Sequence, residues 1–235
     1  MPAHFQRFKT WLNQQLPDAD FELTPLAGDA SFRRYFRLAQ NNKTYIAVDA
    51  PPATENNAAF VQLAQALAAQ GLRVPEVFAA DLAQGFLLLS DLGDAVFGTQ
   101  LTSENADALY QAALKALPKI QSCPLALEAF DASWLMRELE AFKHWVAEVH
   151  WQQKLSAGTE KLLAQTFKLL VQSATEQPQV CIHRDYHSRN LMCLPEGEIG
   201  LLDFQDAMRG PITYDLVSLL RDCYVVWPQA RVQDW

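Results

Sequence analysis

The stretch His183-Arg184-Asp185-Tyr186-His187-Ser188-Arg189-Asn190, followed by Gly200-Leu201-Leu202-Asp203-Phe204-Gln205, decides how this chain is read. The first segment has the spacing H-R-D-x-x-x-x-N, and the second places Asp-Phe at the end of an apolar strand. A His, an Asp and an Asn at these offsets arise by chance in roughly 1% of chains of this composition, and the downstream Asp-Phe lowers that further. The residue types suit phosphoryl transfer. A carboxylate, Asp185, orients an acceptor hydroxyl and takes its proton, while an amide oxygen, Asn190, and a second carboxylate, Asp203, supply hard oxygen ligands to Mg²⁺ from two different loops.

Working outward, the 235 residues separate into a β-rich front and an α-rich back joined near Asp91–Phe97. Phe5, Phe8, Trp11, Leu12 and Leu16 fall at helical spacing and predict an amphipathic helix stopped by Pro17. Strands are expected over Phe21–Ala27, Phe32–Leu38 and Thr44–Val48, with tight turns at Gly28–Ser31 and Asn41-Asn42, as an antiparallel meander ended by Pro51-Pro52. A helix capped by Thr54 and closed by Gly71 follows, then strands Pro75–Ala80 and Gly85–Ser90. Behind the connector, helices are expected over Ser103–Leu117, Ser133–Trp151, Thr159–Thr175 and Asp215–Val226, with strands at Gln179–Ile182 and Glu198–Leu202. The fold class is α+β, in two lobes around a cleft: residues 1–92 as a nucleotide-binding lobe and 93–235 as a catalytic and substrate lobe.

Composition excludes several alternatives. Nineteen Lys+Arg against 27 Asp+Glu give a net charge of -8 with no basic run, a poor field for nucleic acid or an anionic membrane. With 50% hydrophobic residues and no low-complexity tract, the chain is not disordered. Apolar runs such as Phe86–Leu89 are far too short to cross a bilayer, and the N-terminus lacks a signal-peptide pattern. The four cysteines, with no CxxC pair, read as buried reduced thiols in a cytoplasmic protein. A monomer is expected.

The residues also carry a resemblance. Gly28–Arg37, Val48-Asp49-Ala50-Pro51-Pro52, Gly85–Gly93, the His183–Met192 loop, and Leu202–Pro211 with Tyr214-Asp215-Leu216 resemble the aminoglycoside phosphotransferase/choline kinase branch of the protein-kinase-like fold. Within it they are most similar to the bacterial anomeric sugar kinases of N-acetylmuramate and N-acetylglucosamine. The resemblance implies ATP as donor, Mg²⁺, a phosphate-covering turn at Gly28, Asp29, Ala30, Ser31 and Phe32, and a hinge at Ser90, Asp91 and Leu92 whose backbone meets adenine. It implies that Asp215 braces the catalytic loop, a structural part that His183 shares. It further implies the recycling of cell-wall sugars, and extra helices on the acceptor side in related kinases, so that this chain is expected to be C-terminally truncated.

One departure stands out. The strand Tyr45–Asp49 ends in Asp where protein kinases carry a phosphate-pairing Lys, and an acid there would repel a triphosphate. Alternation puts Arg33, Tyr35 and Arg37 on one face, so Arg33, supported by Arg37, is expected to replace the lysine. His187, Arg189, Gln205 and Asp206, with Asp185, are the candidate acceptor contacts, Arg189 as partner for the lactyl carboxylate of N-acetylmuramate. Tyr224 and Trp227 read as core packing in preference to stacking on a sugar ring. Two alternatives stay open: an aminoglycoside, choline or homoserine kinase of the same fold, and an inactive nucleotide-binding module.

Overall fold

The computed structural model describes residues 2–17, 21–26, 32–40 and 43–235. The expected turns at Gly28–Ser31 and Asn41-Asn42 lie outside them. Helix α1 (Pro2–Gln15) lays Phe8, Trp11 and Leu12 onto Phe36, Leu38, Ala47, Phe86 and Leu88 of a sheet. That sheet has five strands in the order β1-β2-β3-β5-β4: β1 (Thr24–Pro25), β2 (Arg34–Gln40), β3 (Lys43–Asp49), β4 (Val77–Asp81) and β5 (Phe86–Ser90). All pairings are antiparallel, with Tyr35 opposite Val48 and Val48 opposite Leu87. Alternation along β3 turns Ala47 toward α1 and Val48 toward the opposite face.

β1 is shorter than the Phe21–Ala27 strand that the sequence predicts, because Phe21 and Leu23 pack into the α1 cluster. Helix α2 (Asn57–Ala69) starts later than expected. The Thr54 hydroxyl is engaged by the Pro51 carbonyl at 3.2 Å, so Asn56 takes the cap, its side chain accepting from Ala59 N–H at 3.1 Å.

The back half contains α3 (Phe97–Gln100), α4 (Ala106–Gln121), α5 (Ala132–Phe142) continuing into a π-helical stretch (Lys143–His150), and α6 (Ala157–Thr175). Two antiparallel ribbons follow, β6 (Gln179–Ile182) with β9 (Met208–Pro211), and β7 (Leu191–Cys193) with β8 (Ile199–Leu201). Helices α7 (Tyr214–Leu220) and α8 (Gln229–Asp234) complete the described chain. α7 stops short of the predicted Val226 because Asp222 turns its carboxylate to the N–H groups of Ser188 and Tyr224, both at 2.8 Å.

The core does not respect the division into front and back. One apolar cluster joins Val48 and Leu89 of the sheet to Phe60, Leu63 and Leu67 of α2, then to Tyr110 and Leu117 of α4, and on to Leu191, Leu201 and Phe204. Cys123 and Cys181 are buried thiols, but Cys223 is exposed, against the expectation for all four. Among the described residues, no helix is long and apolar enough to cross a membrane.

Candidate active site

The catalytic loop runs from β6 to β7 and is strapped at several points. Asp215, at the start of α7, accepts the backbone N–H of His183 at 2.7 Å and of Arg184 at 3.0 Å. Tyr186 donates its buried hydroxyl to the Ala113 carbonyl of α4 at 2.8 Å. Ser188 N–H meets Asp222, and the Ser188 carbonyl accepts Gly98 N–H at 2.9 Å. His183 donates Nε2–H to the Leu202 carbonyl at 2.9 Å, tying the loop to the segment that carries Asp203. Burial pushes His183 down to about 4 and Asp215 up to about 6, the backbone N–H groups only partly offsetting the latter.

Two residues here take left-handed backbone angles, Arg184 with φ 76° and Asp203 with φ 60°. Such angles are costly outside glycine and persist where surrounding structure holds them. For Asp203 the holding contact is its neighbour: Phe204 is buried and stacks on Phe60 of α2, ring centroids 5.0 Å apart.

These straps aim Asp185, Asn190 and Asp203 into one cleft of about 860 Å³ between the sheet and the catalytic loop. Asn190 donates its amide N–H to the Asp185 carbonyl at 3.0 Å, which leaves its Oδ1 as the available atom. An amide oxygen and a carboxylate fit Mg²⁺, which takes few protein ligands and keeps the rest for water and phosphate. Among the described residues no cluster of three or more His, Cys, Asp or Glu forms a ready-made metal cage. Asp185 is held above the ordinary carboxylate range, first by burial, with Arg184 opposing and Asp203 adding to the rise.

Every described residue of the sequence-derived set lines this same cleft: Phe32, Arg33, Arg37, Ser90, Asp91 and Leu92 from the front, His187, Arg189, Gln205 and Asp206 from the back. Gly28, Asp29, Ala30 and Ser31 lie outside the described residues. Leu92 N–H has no protein acceptor among the described residues, whereas Ser90 N–H is already bonded to the Glu76 carbonyl at 2.9 Å. Arg37 places its guanidinium against Asp91 and Asp94, each at 2.7 Å, and so ties β2 to the hinge. Burial would raise Asp91, but Arg37 and the Gly93 N–H hold it below the usual carboxylate range. Gln205 donates to Asp203 at 2.6 Å, so its amide steadies the carboxylate.

The feared acid at Asp49 is corrected by register. Asp49 is fully buried on the α1 side of the sheet, bonded to Arg34 and, at 2.8 Å, to His4. It does not line the cleft; Val48, one residue earlier, sits on the cleft-side face. A shift of one residue along a strand exchanges its faces. Arg33 lines the cleft, and its guanidinium meets Glu55 at 3.1 Å, both side chains nearly buried. Glu55 also accepts Phe32 N–H at 3.2 Å.

Glu55 is a cleft residue that the sequence reading does not name, and Tyr224 follows the less favoured of its two readings. Trp227 does pack as expected, donating to Tyr110 at 3.1 Å, but Tyr224 is 46% exposed and lines the cleft. Its ring carries the Arg189 guanidinium at 3.7 Å and meets the edge of His187 at 5.2 Å.

Residues 22–234 match the family model described as APH, phosphotransferase enzyme family. The chain belongs to this family. The phosphotransferase signature thus covers both the sheet and the catalytic loop. Among curated members similar to it, an N-acetylmuramate/N-acetylglucosamine kinase of Pseudomonas aeruginosa is 43% identical over 98% of this chain and 71% of its own length. One of Pseudomonas putida with the same name is 39% identical over 100% of this chain and 74% of its own length. A choline kinase structure from Streptococcus pneumoniae superposes with a TM-score of 0.69, covering 98% of this chain and 78% of that one at 15% identity, which establishes the shared fold.

Proposed function

We propose that this phosphotransferase moves the γ-phosphoryl group of ATP onto the anomeric hydroxyl of N-acetylmuramate and of N-acetylglucosamine, giving the sugar 1-phosphate and ADP. The observation that carries the reading is the arrival of Asp185, Asn190 and Asp203 in one cleft, in a chain 43% identical to a kinase of those sugars. Residues 1–92 hold the nucleotide and 93–235 the chemistry and the sugar. Ile46, Leu89, Met192 and Leu202 offer apolar walls beside the hinge, suited to adenine, with Leu92 N–H as donor. The phosphate-covering part that the resemblance gives to Gly28–Ser31 lies outside the described residues. The reaction belongs to the cytoplasm, where ATP is supplied, as part of cell-wall sugar recycling.

Mg²⁺, held by Asn190 and Asp203, would neutralise charge on the phosphates. Asp185 accepts a hydrogen bond from the anomeric hydroxyl and takes its proton as the oxygen attacks phosphorus and the bond to the bridging oxygen of ADP breaks. An anomeric hydroxyl is more acidic than an ordinary alcohol, so Asp185 needs mainly to orient it and accept the proton late. Its raised proton affinity makes it a better acceptor of that proton. Arg33, steadied by Glu55, supplies the positive charge that the fold elsewhere takes from a lysine.

The missing lysine favours the inactive-module reading; Asp185, Asn190 and Asp203 in one cleft oppose it, and the repulsion expected from Asp49 falls away because that side chain faces α1. Phosphorus NMR of a reaction with N-acetylmuramate, ATP and Mg²⁺ tests the proposal. A new signal coupled to the anomeric proton is expected. ADP formation without it, or a signal coupled only to ring or methylene protons, would overturn it.

A further inference from the structure

We propose that Arg189, carried on the ring of Tyr224, reads the lactyl carboxylate that N-acetylmuramate has and N-acetylglucosamine lacks. The inference rests on the function proposed above and adds the residue pair that distinguishes its two substrates.

Arg189 sits one residue before Asn190 and lines the same cleft as Asp185. Among the described residues it forms no ion pair within 4.0 Å, unlike Arg33, Arg34, Arg37, Arg73, Arg184 and Arg231. Its guanidinium lies 3.7 Å from the Tyr224 ring centroid. Stacking orients the plane of the group without consuming its hydrogen-bond donors, so the fork stays available for a carboxylate. The platform is itself fixed. Asp222 holds Tyr224 N–H at 2.8 Å and, through its other oxygen, Ser188 N–H at 2.8 Å. One side chain therefore sets the spacing between the aromatic ring and the loop that carries Arg189. His187 closes the other edge of the ring at 5.2 Å.

The exposure of the pair matters as much as its position. A cation built into a dry pocket would be left unpaired by N-acetylglucosamine, and an unpaired buried charge is strongly penalised. Arg189 is exposed and Tyr224 nearly half so. When the sugar lacks the carboxylate, water solvates the guanidinium and the ring still supports it. A mouth-side, stacked arginine thus favours the acid without forbidding the neutral sugar. The lactyl ether stands two carbons along the ring from the anomeric carbon. With the anomeric hydroxyl at Asp185, a partner for the carboxylate has to lie in the same cleft, and Arg189 lines it while remaining exposed.

The test compares kcat/KM for N-acetylmuramate, its neutral methyl ester and N-acetylglucosamine, in the wild type and in Arg189→Met, Arg189→Lys, Tyr224→Phe and Tyr224→Ala. In the wild type the acid should be preferred over the ester. In R189M that preference should fall by about 10- to 100-fold, the span of a charge-assisted bidentate contact. R189K should recover only part of it, because a point charge lacks the fork. Y224F should keep the preference, and Y224A should lower it by about 2- to 30-fold. A preference unchanged in R189M, or acid and ester falling together, overturns the proposal while the sugar-kinase reading stands. A wild-type protein that phosphorylates neither sugar overturns both.

Discussion

His183 and Asp215 lie together beneath the catalytic loop, and burial moves their protonation in opposite directions. His183 ordinarily titrates near 6.5 and is pushed down to about 4, so the unfolded chain binds its proton more readily. Its contribution to stability is intact above the unfolded value and is lost as pH falls toward the folded one. Asp215 ordinarily titrates near 3.8 and is pushed up to about 6, so its contribution is greatest in acid and is lost as pH rises through that value. The two windows overlap and the slopes oppose. Removing either group should expose the other. In Asp215→Asn the urea midpoint should rise between pH 4.5 and pH 7, and in His183→Gln it should fall over the same interval. Two variants with parallel pH profiles would sink this account. At the chemical centre, Asp185→Asn should lower kcat by about 10²- to 10⁴-fold with ATP affinity nearly kept, as read by steady-state kinetics and nucleotide titration. Arg33→Met should instead raise KM for ATP and also lower kcat, since it removes a cleft cation and strands Glu55. Sequence reading reached the cleft position of Asp185, Asn190 and Asp203 through motif spacing, and that of Arg33, Arg37 and the Ser90–Leu92 connector through strand alternation and resemblance. Glu55, and the pairing of Tyr224 with Arg189, stay hidden because the partners are far apart along the chain, and no local spacing encodes such a meeting.

At the scale of elements, the strands of the front were legible because their apolar alternation is long enough to count. Their faces were less so. Strand character is legible over Tyr45–Asp49, but the face that its last residue takes is not: Asp49 turns to α1 and bonds to His4. The short strands β7 and β9 overlap the motif segments His183–Met192 and Leu202–Pro211, whose residues read as loop chemistry rather than as strands. Helix ends were set by competing hydrogen bonds, as at Thr54 and Asp222, which propensity does not foresee. One turn was specified by sterics alone. Gly85, with φ +77°, ends the β4–β5 turn where a Cβ would stand 2.0 Å from the Ala50 carbonyl oxygen. Neither the angle nor the space admits a side chain, and backbone cannot yield as a flexible side chain does. Gly85→Ala should therefore destabilise the protein by about 3 kcal/mol or more, visible as a lowered urea midpoint with unchanged slope. An unperturbed midpoint would mean that the β4–β5 turn can relax away from Ala50.

For the whole molecule, the decisive feature is that front and back share an apolar cluster. Phe60 of α2 stacks on Phe204, beside the Asp203 carboxylate, and the same cluster runs through Val48 and Leu89 on one side and Tyr110 and Leu117 on the other. Two lobes with separate cores would be free to unfold in turn; a shared core makes the loss of either half expose the other's apolar surface. The chain should consequently unfold in one cooperative transition, with calorimetric and van't Hoff enthalpies agreeing. An ATP analogue with Mg²⁺ should move that transition upward as a unit, because a ligand of the folded state stabilises everything that unfolds with it. Phe60→Ala should lower stability by about 3–5 kcal/mol. It should also reduce turnover more than the fraction unfolded explains, since Asp203 keeps its left-handed backbone only while Phe204 is packed. Two resolved heat-absorption peaks, or an analogue that shifts one part of the transition alone, would show that the sheet stands by itself and that α2 is a bridge rather than part of a common core.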